Sequence, residues 1–169
     1  MMWASRQEVD RDNNGGGGYM PTKAFEDFEV GDKFTSPSRT ITETDIVNFA
    51  GISGDYYPLH IDEVYARETI FGGRVAHGAL IYAISVGLVA STGVFADSLV
   101  AFLGVERLRH LAPVRPGDTI RVDVEIIDKQ ETRNPKRGIV TMKYGTKNQA
   151  DEEVMVASLD FMMHRRDDG

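Results

Sequence analysis

A carboxylate and an imidazole stand five positions apart in Gly54-Asp55-Tyr56-Tyr57-Pro58-Leu59-His60-Ile61-Asp62. These are the residue types of general acid–base chemistry: Asp55 can accept and return a proton, and His60 can hold the water that supplies it. A regular helix would set them about 500° apart, or roughly 140° around its cylinder. The pair is therefore predicted to converge from irregular backbone, which Pro58 restricts between them. A plainer reading uses the same residues: Asp55 closes an Asx-turn after Gly54, and His60 is an ordinary half-buried histidine.

The flanking sequence must carry this loop. Thr42-Glu43-Thr44-Asp45 is a variant capping box, and Ile46, Phe49 and Ala50 share one face of a short helix that Gly51 can end. Asp62 is placed to cap a second short helix over residues 63–69, broken by Phe71-Gly72-Gly73-Arg74. Upstream, Phe28, Val30 and Phe34 are spaced for one face of an extended segment around Gly31-Asp32. Residues 78–93 are apolar on all sides apart from Tyr82, Ser85 and the closing Ser91-Thr92, which predicts a helix of about 24 Å surrounded by protein. Then the period changes to two. Val122, Val124 and Ile126 alternate with Arg121, Asp123 and Glu125, the pattern of a strand with one buried face. Residues 98–110, 139–146 and 153–164 read as companion strands. The turns Pro116-Gly117-Asp118, Asn134-Pro135-Lys136-Arg137-Gly138 and Asn148-Gln149-Ala150-Asp151 predict antiparallel neighbours. The expected fold class is α+β, an antiparallel sheet covering a central helix in two layers.

Composition narrows the function classes. A chain of 169 residues, 41% hydrophobic, suits one buried core, read as a single domain over 21–169. Residues 1–20, polar and containing Asn13-Asn14 and four successive glycines, read as a flexible tail. With 26 acidic against 19 basic residues the net charge is −7, the wrong sign for generic binding to nucleic acid or an anionic membrane. The chain has no cysteine, hence no thiolate nucleophile and no disulfide framework, which points to a reducing compartment and by default the cytoplasm. The first twenty residues lack a signal-peptide pattern, and the apolar run 79–90 is shorter than a bilayer span.

Three motifs together resemble the MaoC-like dehydratases and (R)-specific enoyl-CoA hydratases, a hot-dog-fold family, over residues 25–163. They are the 54–62 segment, the run Phe71-Gly72-Gly73-Arg74-Val75-Ala76-His77-Gly78 leading into the long helix, and Pro113-Val114-Arg115-Pro116-Gly117-Asp118. The resemblance implies a sheet wrapped around a long helix. It also implies addition or removal of water across the C2–C3 double bond of a CoA thioester, with Asp55 and His60 as the catalytic pair. The Gly78 N–H at the helix start would then receive the thioester oxygen, and His77 would orient that loop. Tyr57 stands where the family usually has asparagine, so Tyr57 and Pro58 are read as pocket residues bearing on substrate range. A serine that some relatives carry on the helix is Val86 here, with Ser85 one position off, and no catalytic serine is assigned. Arg74, Arg107, Arg109 and Arg115 are candidates for the CoA phosphates, although each alone reads as an ordinary solvated cation. Apart from CoA itself no cofactor or metal is expected, and the partner implied is a second copy of the chain in a homodimer.

Two alternatives compete. A hot-dog thioesterase also carries His-Gly at a helix start, but needs a carboxylate on the central helix, and residues 79–94 contain no Asp or Glu. A non-catalytic acyl-CoA-binding subunit has no chemical need for both Asp55 and His60.

Overall fold

The structure, a computed structural model, describes residues 23–166, so the expected tail lies outside the described residues. Six strands, β1 (Lys33–Thr35), β2 (Arg39–Thr40), β3 (Leu99–His110), β4 (Thr119–Glu131), β5 (Arg137–Lys147) and β6 (Glu153–His164), form an antiparallel sheet. Its order is β1-β4-β5-β6-β3, with β2 also paired to β4. The period of two is realised in β4: Ile120, Val122, Val124 and Ile126 are buried, and the residues between them are partly exposed. The hairpins β4–β5 and β5–β6 join neighbours, as predicted. The segment containing Pro116-Gly117-Asp118 does not. It follows β3, which pairs with β6 at the opposite edge of the sheet, so the expected neighbour pairing across that turn is corrected to a crossover.

Four helices lie off the sheet: α1 (Glu43–Ser53), α2 (Pro58–Ile61), α3 (Glu63–Arg67) and α4 (Gly78–Ala90). The 13 residues of α4 span about 20 Å and press Leu80, Ile81, Ile84, Leu88 and Val89 into one core with the inward residues of β4, β5 and β6. This is the hot-dog arrangement. One side of α4, carrying Ala79, Ala83, Gly87 and Ala90, is exposed, so the helix is not enclosed all round within the chain. Ser85, fully buried, gives its hydroxyl hydrogen to the Ile81 carbonyl and pairs at 2.9 Å with the Thr146 hydroxyl, which satisfies its polarity in the core. One local expectation is revised: of the face expected from Phe28, Val30 and Phe34, only Lys33–Thr35 is a strand, and Val30 is 63% exposed while Phe28 is buried. The preceding Phe25–Asp27 is a short 3-10 turn. Among the described residues no helix is long and apolar enough to cross a membrane.

Candidate active site

The site loop begins where α1 ends. Thr42 caps that helix, its side chain accepting from the Asp45 amide while Asp45 accepts from the Thr42 amide at 2.8 Å. The helix runs through Gly51 and stops at Gly54, whose φ of 75° is the left-handed conformation that glycine adopts without steric penalty. Gly54 thus does what Gly51 was expected to do. The next residue, Asp55, accepts the Tyr57 amide at 3.2 Å, an Asx-turn that leads into the single turn of α2 with Pro58 at its start. His60 lies on that turn, so the pair is built from an irregular arm and a helical one.

The Asx-turn and the convergence are both present. Asp55, His60 and His77 each offer one ligating atom, and these atoms lie within 4.8 Å of one another. His60 Nδ1 is 2.7 Å from the Val75 carbonyl oxygen; because that oxygen can only accept, Nδ1 carries the proton and Nε2 is left as an acceptor in the neutral ring. His77, 2% exposed, likewise directs Nε2 to the Asp55 carbonyl oxygen at 2.9 Å. Its ring stacks on His60 with centroids 3.8 Å apart and is backed by Phe49 of α1 at 5.0 Å. His77 therefore holds both the backbone of Asp55 and the plane of His60. Its buried Nδ1 has no hydrogen-bond partner among the described residues.

Beside these rings opens a cavity of about 320 Å³. Its wall combines His60, Gly78 and His110 with apolar side chains such as Phe71, Ile81 and Val154. Gly78 is the first residue of α4, and among the described residues no side-chain cap covers that helix start, which leaves its amide as a donor at the positive end of the helix dipole. A side chain at this position would displace an imidazole: a Cβ on Gly78 would sit 2.6 Å from His110 Nε2.

The other predicted residues fall elsewhere. Tyr57 and Pro58 do not line the cavity; Tyr57 is 53% exposed and its hydroxyl pairs with that of Tyr65 at 3.0 Å, because the Asx-turn directs the ring outward along α3. Arg74 is tied to Glu43 and Glu63 and so joins α1, α3 and the strand of chain entering His77. Arg115 donates to the Phe71 carbonyl and lies against Gly73. Both act as struts of the loop layer. Arg107 and Arg109 are exposed on β3, where no ion pair engages either among the described residues. The residue that sequence reasoning missed is His110. It ends β3, and only its place among the chain's four histidines, two positions before Ala112-Pro113, could have singled it out.

Residues 27–148 match the MaoC like domain. The chain belongs to the MaoC-like dehydratase family. Over 100 residues this MaoC-like domain is 47% identical to Protein MaoC of Klebsiella aerogenes, covering 59% of the chain but only 29% of that protein's length. It is 35% identical over 133 residues to the 3-hydroxybutyryl-CoA dehydratase of Methylorubrum extorquens, covering 78% of the chain and 82% of the relative. It is 39% identical over 103 residues to the (R)-specific enoyl-CoA hydratase of Rhodospirillum rubrum, covering 60% of the chain and 68% of the relative. Among solved structures, the MaoC-like dehydratase from Rhodospirillum rubrum superposes with a TM-score of 0.76 at 33% identity, covering 85% of the chain and 98% of that structure.

Proposed function

We propose that this MaoC-like domain is a hydro-lyase that adds water to a 2-enoyl-CoA thioester, or removes it from the 3-hydroxyacyl-CoA. The observation that carries this reading is the convergence of Asp55 and His60 beside an apolar cavity whose wall includes the Gly78 helix start. In the hydration direction, the water held by Asp55 and the His60 Nε2 gives a proton to Asp55 as its oxygen bonds to C3. The C2–C3 π electrons move toward the thioester, whose oxygen gains negative charge opposite the Gly78 N–H. The proton then passes to C2 as the thioester carbonyl re-forms, so that one water is added and Asp55 returns to its starting state. The cavity suits the acyl portion, because its wall is apolar apart from the backbone and two histidines. Arg107 and Arg109, on the strand that ends in His110, are the better candidates for the CoA phosphates, since Arg74 and Arg115 are already engaged.

The names of the relatives from Methylorubrum extorquens and Rhodospirillum rubrum support the same chemistry. A thioesterase is disfavoured by α4, which has no carboxylate. We further propose that residues 21–169 act as one cytoplasmic domain in a homodimer formed through the edge strand β3, where Phe102, Leu103 and Val105 are exposed.

Absorbance of the enoyl thioester band of crotonyl-CoA tests the activity, with release of free CoA measured alongside. Wild-type protein is expected to consume the band without releasing CoA, and Asp55→Asn to lose about 10²- to 10⁴-fold in rate with an unchanged circular dichroism spectrum. The amide keeps the Asx-turn but cannot accept and return the proton. CoA release would favour the thioesterase, binding without turnover would favour a non-catalytic acyl-CoA subunit, and a folded Asn variant with full turnover would remove Asp55 from the mechanism.

A further inference from the structure

His110 ends β3 with its side chain partly open to solvent. Its side chain makes no hydrogen bond or ion pair among the described residues, yet the ring lies over Gly78 and forms part of the cavity wall beside His60. The position is informative. A Cβ on Gly78 would be 2.6 Å from His110 Nε2, and Cβ and the amide nitrogen of one residue are about 2.5 Å apart, so Nε2 lies within roughly 5 Å of the Gly78 nitrogen. Two donors that close can both reach one oxygen at about 2.9 Å from each.

We infer that His110 is a second donor to the thioester oxygen, completing with the Gly78 N–H a two-donor oxyanion site. The inference rests on the hydratase reading above and assigns His110 to its substrate-binding atoms. In the neutral ring one nitrogen carries a proton, and with no partner among the described residues to fix the tautomer a substrate oxygen can select the Nε2–H form. Desolvation by the surrounding protein lowers the His110 pKa below the ordinary histidine value, which favours the neutral ring at pH 7. One donor of this type contributes most where charge accumulates, on the enolate-like oxygen, and least to the uncharged ground state.

The test is a pair of substitutions read by kinetics and by spectroscopy. His110→Phe keeps a ring and removes both nitrogens, whereas His110→Gln keeps an N–H donor. The expected result for crotonyl-CoA hydration is a kcat about 10²-fold lower in His110→Phe with KM changed far less, and substantial recovery in His110→Gln. In an Asp55→Asn background, chosen because its turnover is expected to be slow, 2,4-hexadienoyl-CoA should show a red-shifted absorbance from polarisation of its carbonyl, and the shift should shrink when His110→Phe is added. The inference is overturned if His110→Phe keeps wild-type kcat, if Phe and Gln variants lose activity equally, or if the absorbance shift is the same with and without His110. Should His110→Phe fail to fold, the Gln variant and the absorbance shift of the singly substituted Asp55→Asn protein decide: no shift overturns the inference. A wild-type protein that leaves crotonyl-CoA untouched overturns the hydratase reading and this one with it; an active wild type with an indifferent His110 overturns this one alone.

Discussion

Along β4, β5 and β6 the inward side chains Ile126, Met142, Tyr144 and Leu159 are fully buried, whereas in the layer that carries Asp55 and His60 the side chains of Ile52, Val64 and Ile70 remain 85%, 74% and 97% exposed. The sheet is held by strand ladders and by apolar area withdrawn from water. The loop layer is held by a few polar anchors: the Gly54 cap, His60 on the Val75 carbonyl, His77 on the Asp55 carbonyl, and Arg74 between Glu43 and Glu63. Most of the stability is thus assigned to the sheet and α4, and the positioning of Asp55 and His60 to the loop layer, and substitutions should separate them.

The largest effect is expected from the sheet. Leu159→Ala should destabilise the protein by about 2–5 kcal/mol, because it removes buried volume that a ladder paired on both sides cannot refill. Urea denaturation measures the loss. Turnover per folded molecule should be nearly unchanged, and a Leu159→Ala protein that is stable but inactive would break the proposed division. Arg74→Met is the opposite case. It keeps the length of the stem and removes both anchors of a partly exposed guanidinium, so stability should fall by about 1 kcal/mol or less while kcat/KM for crotonyl-CoA falls roughly tenfold through misplacement of His77. Equal effects on both quantities would show that the loop layer is part of the cooperative core.

The smallest expected effect belongs to the start of α1. Burial raises the Asp45 pKa, but hydrogen bonds from the Thr42 amide and hydroxyl and the charge of Arg39 outweigh it and leave the carboxyl below its ordinary value. A carboxyl whose native pKa lies below its unfolded one stabilises the fold above the unfolded pKa, and that stabilisation fades as the pH falls through the native value. Asp45→Asn should therefore lower stability near pH 7 by about 0.5–1 kcal/mol, in the range of a lost cap contact, and the difference from wild type should shrink on acidification. Urea midpoints at neutral and acid pH, followed for both proteins, would show it; a difference that grows toward low pH would reverse the sign.

Features written in short-range pattern were legible in advance. The alternation at Val122, Val124 and Ile126, the Thr42 capping box and the cap at Asp62 were each read from neighbouring residues, because each depends on backbone geometry within one turn or one pleat. What was not legible depends on distant partners. The turn at Pro116-Gly117-Asp118 has the chemistry of a hairpin, and nothing local to it says that β3 will cross to β6. Ala79, Ala83 and Gly87 are small enough to be buried or exposed, so composition could not assign the outer side of α4. The motif directed attention to Asp55, His60 and Gly78. The ring of His110 meets Gly78 only after the sheet has carried the end of β3 across to the start of α4, and its sequence neighbours carry no sign of that encounter.

The irregularity of β3 has a consequence for solution behaviour. Its register against β6 shifts three times, between Leu99 and Ala101, between Phe102 and Gly104, and between Glu106 and Arg109, and Arg107 adopts a positive φ of 54°. Each shift interrupts the row of amides and carbonyls and sharpens the local twist, so the open side of the strand is a poor template for flat, in-register stacking. An apolar stretch of edge such as residues 99–105 would otherwise invite endless strand addition and fibre growth. The three shifts make this a twisted rather than a flat border, and a flat strand from another chain would not match it along its length.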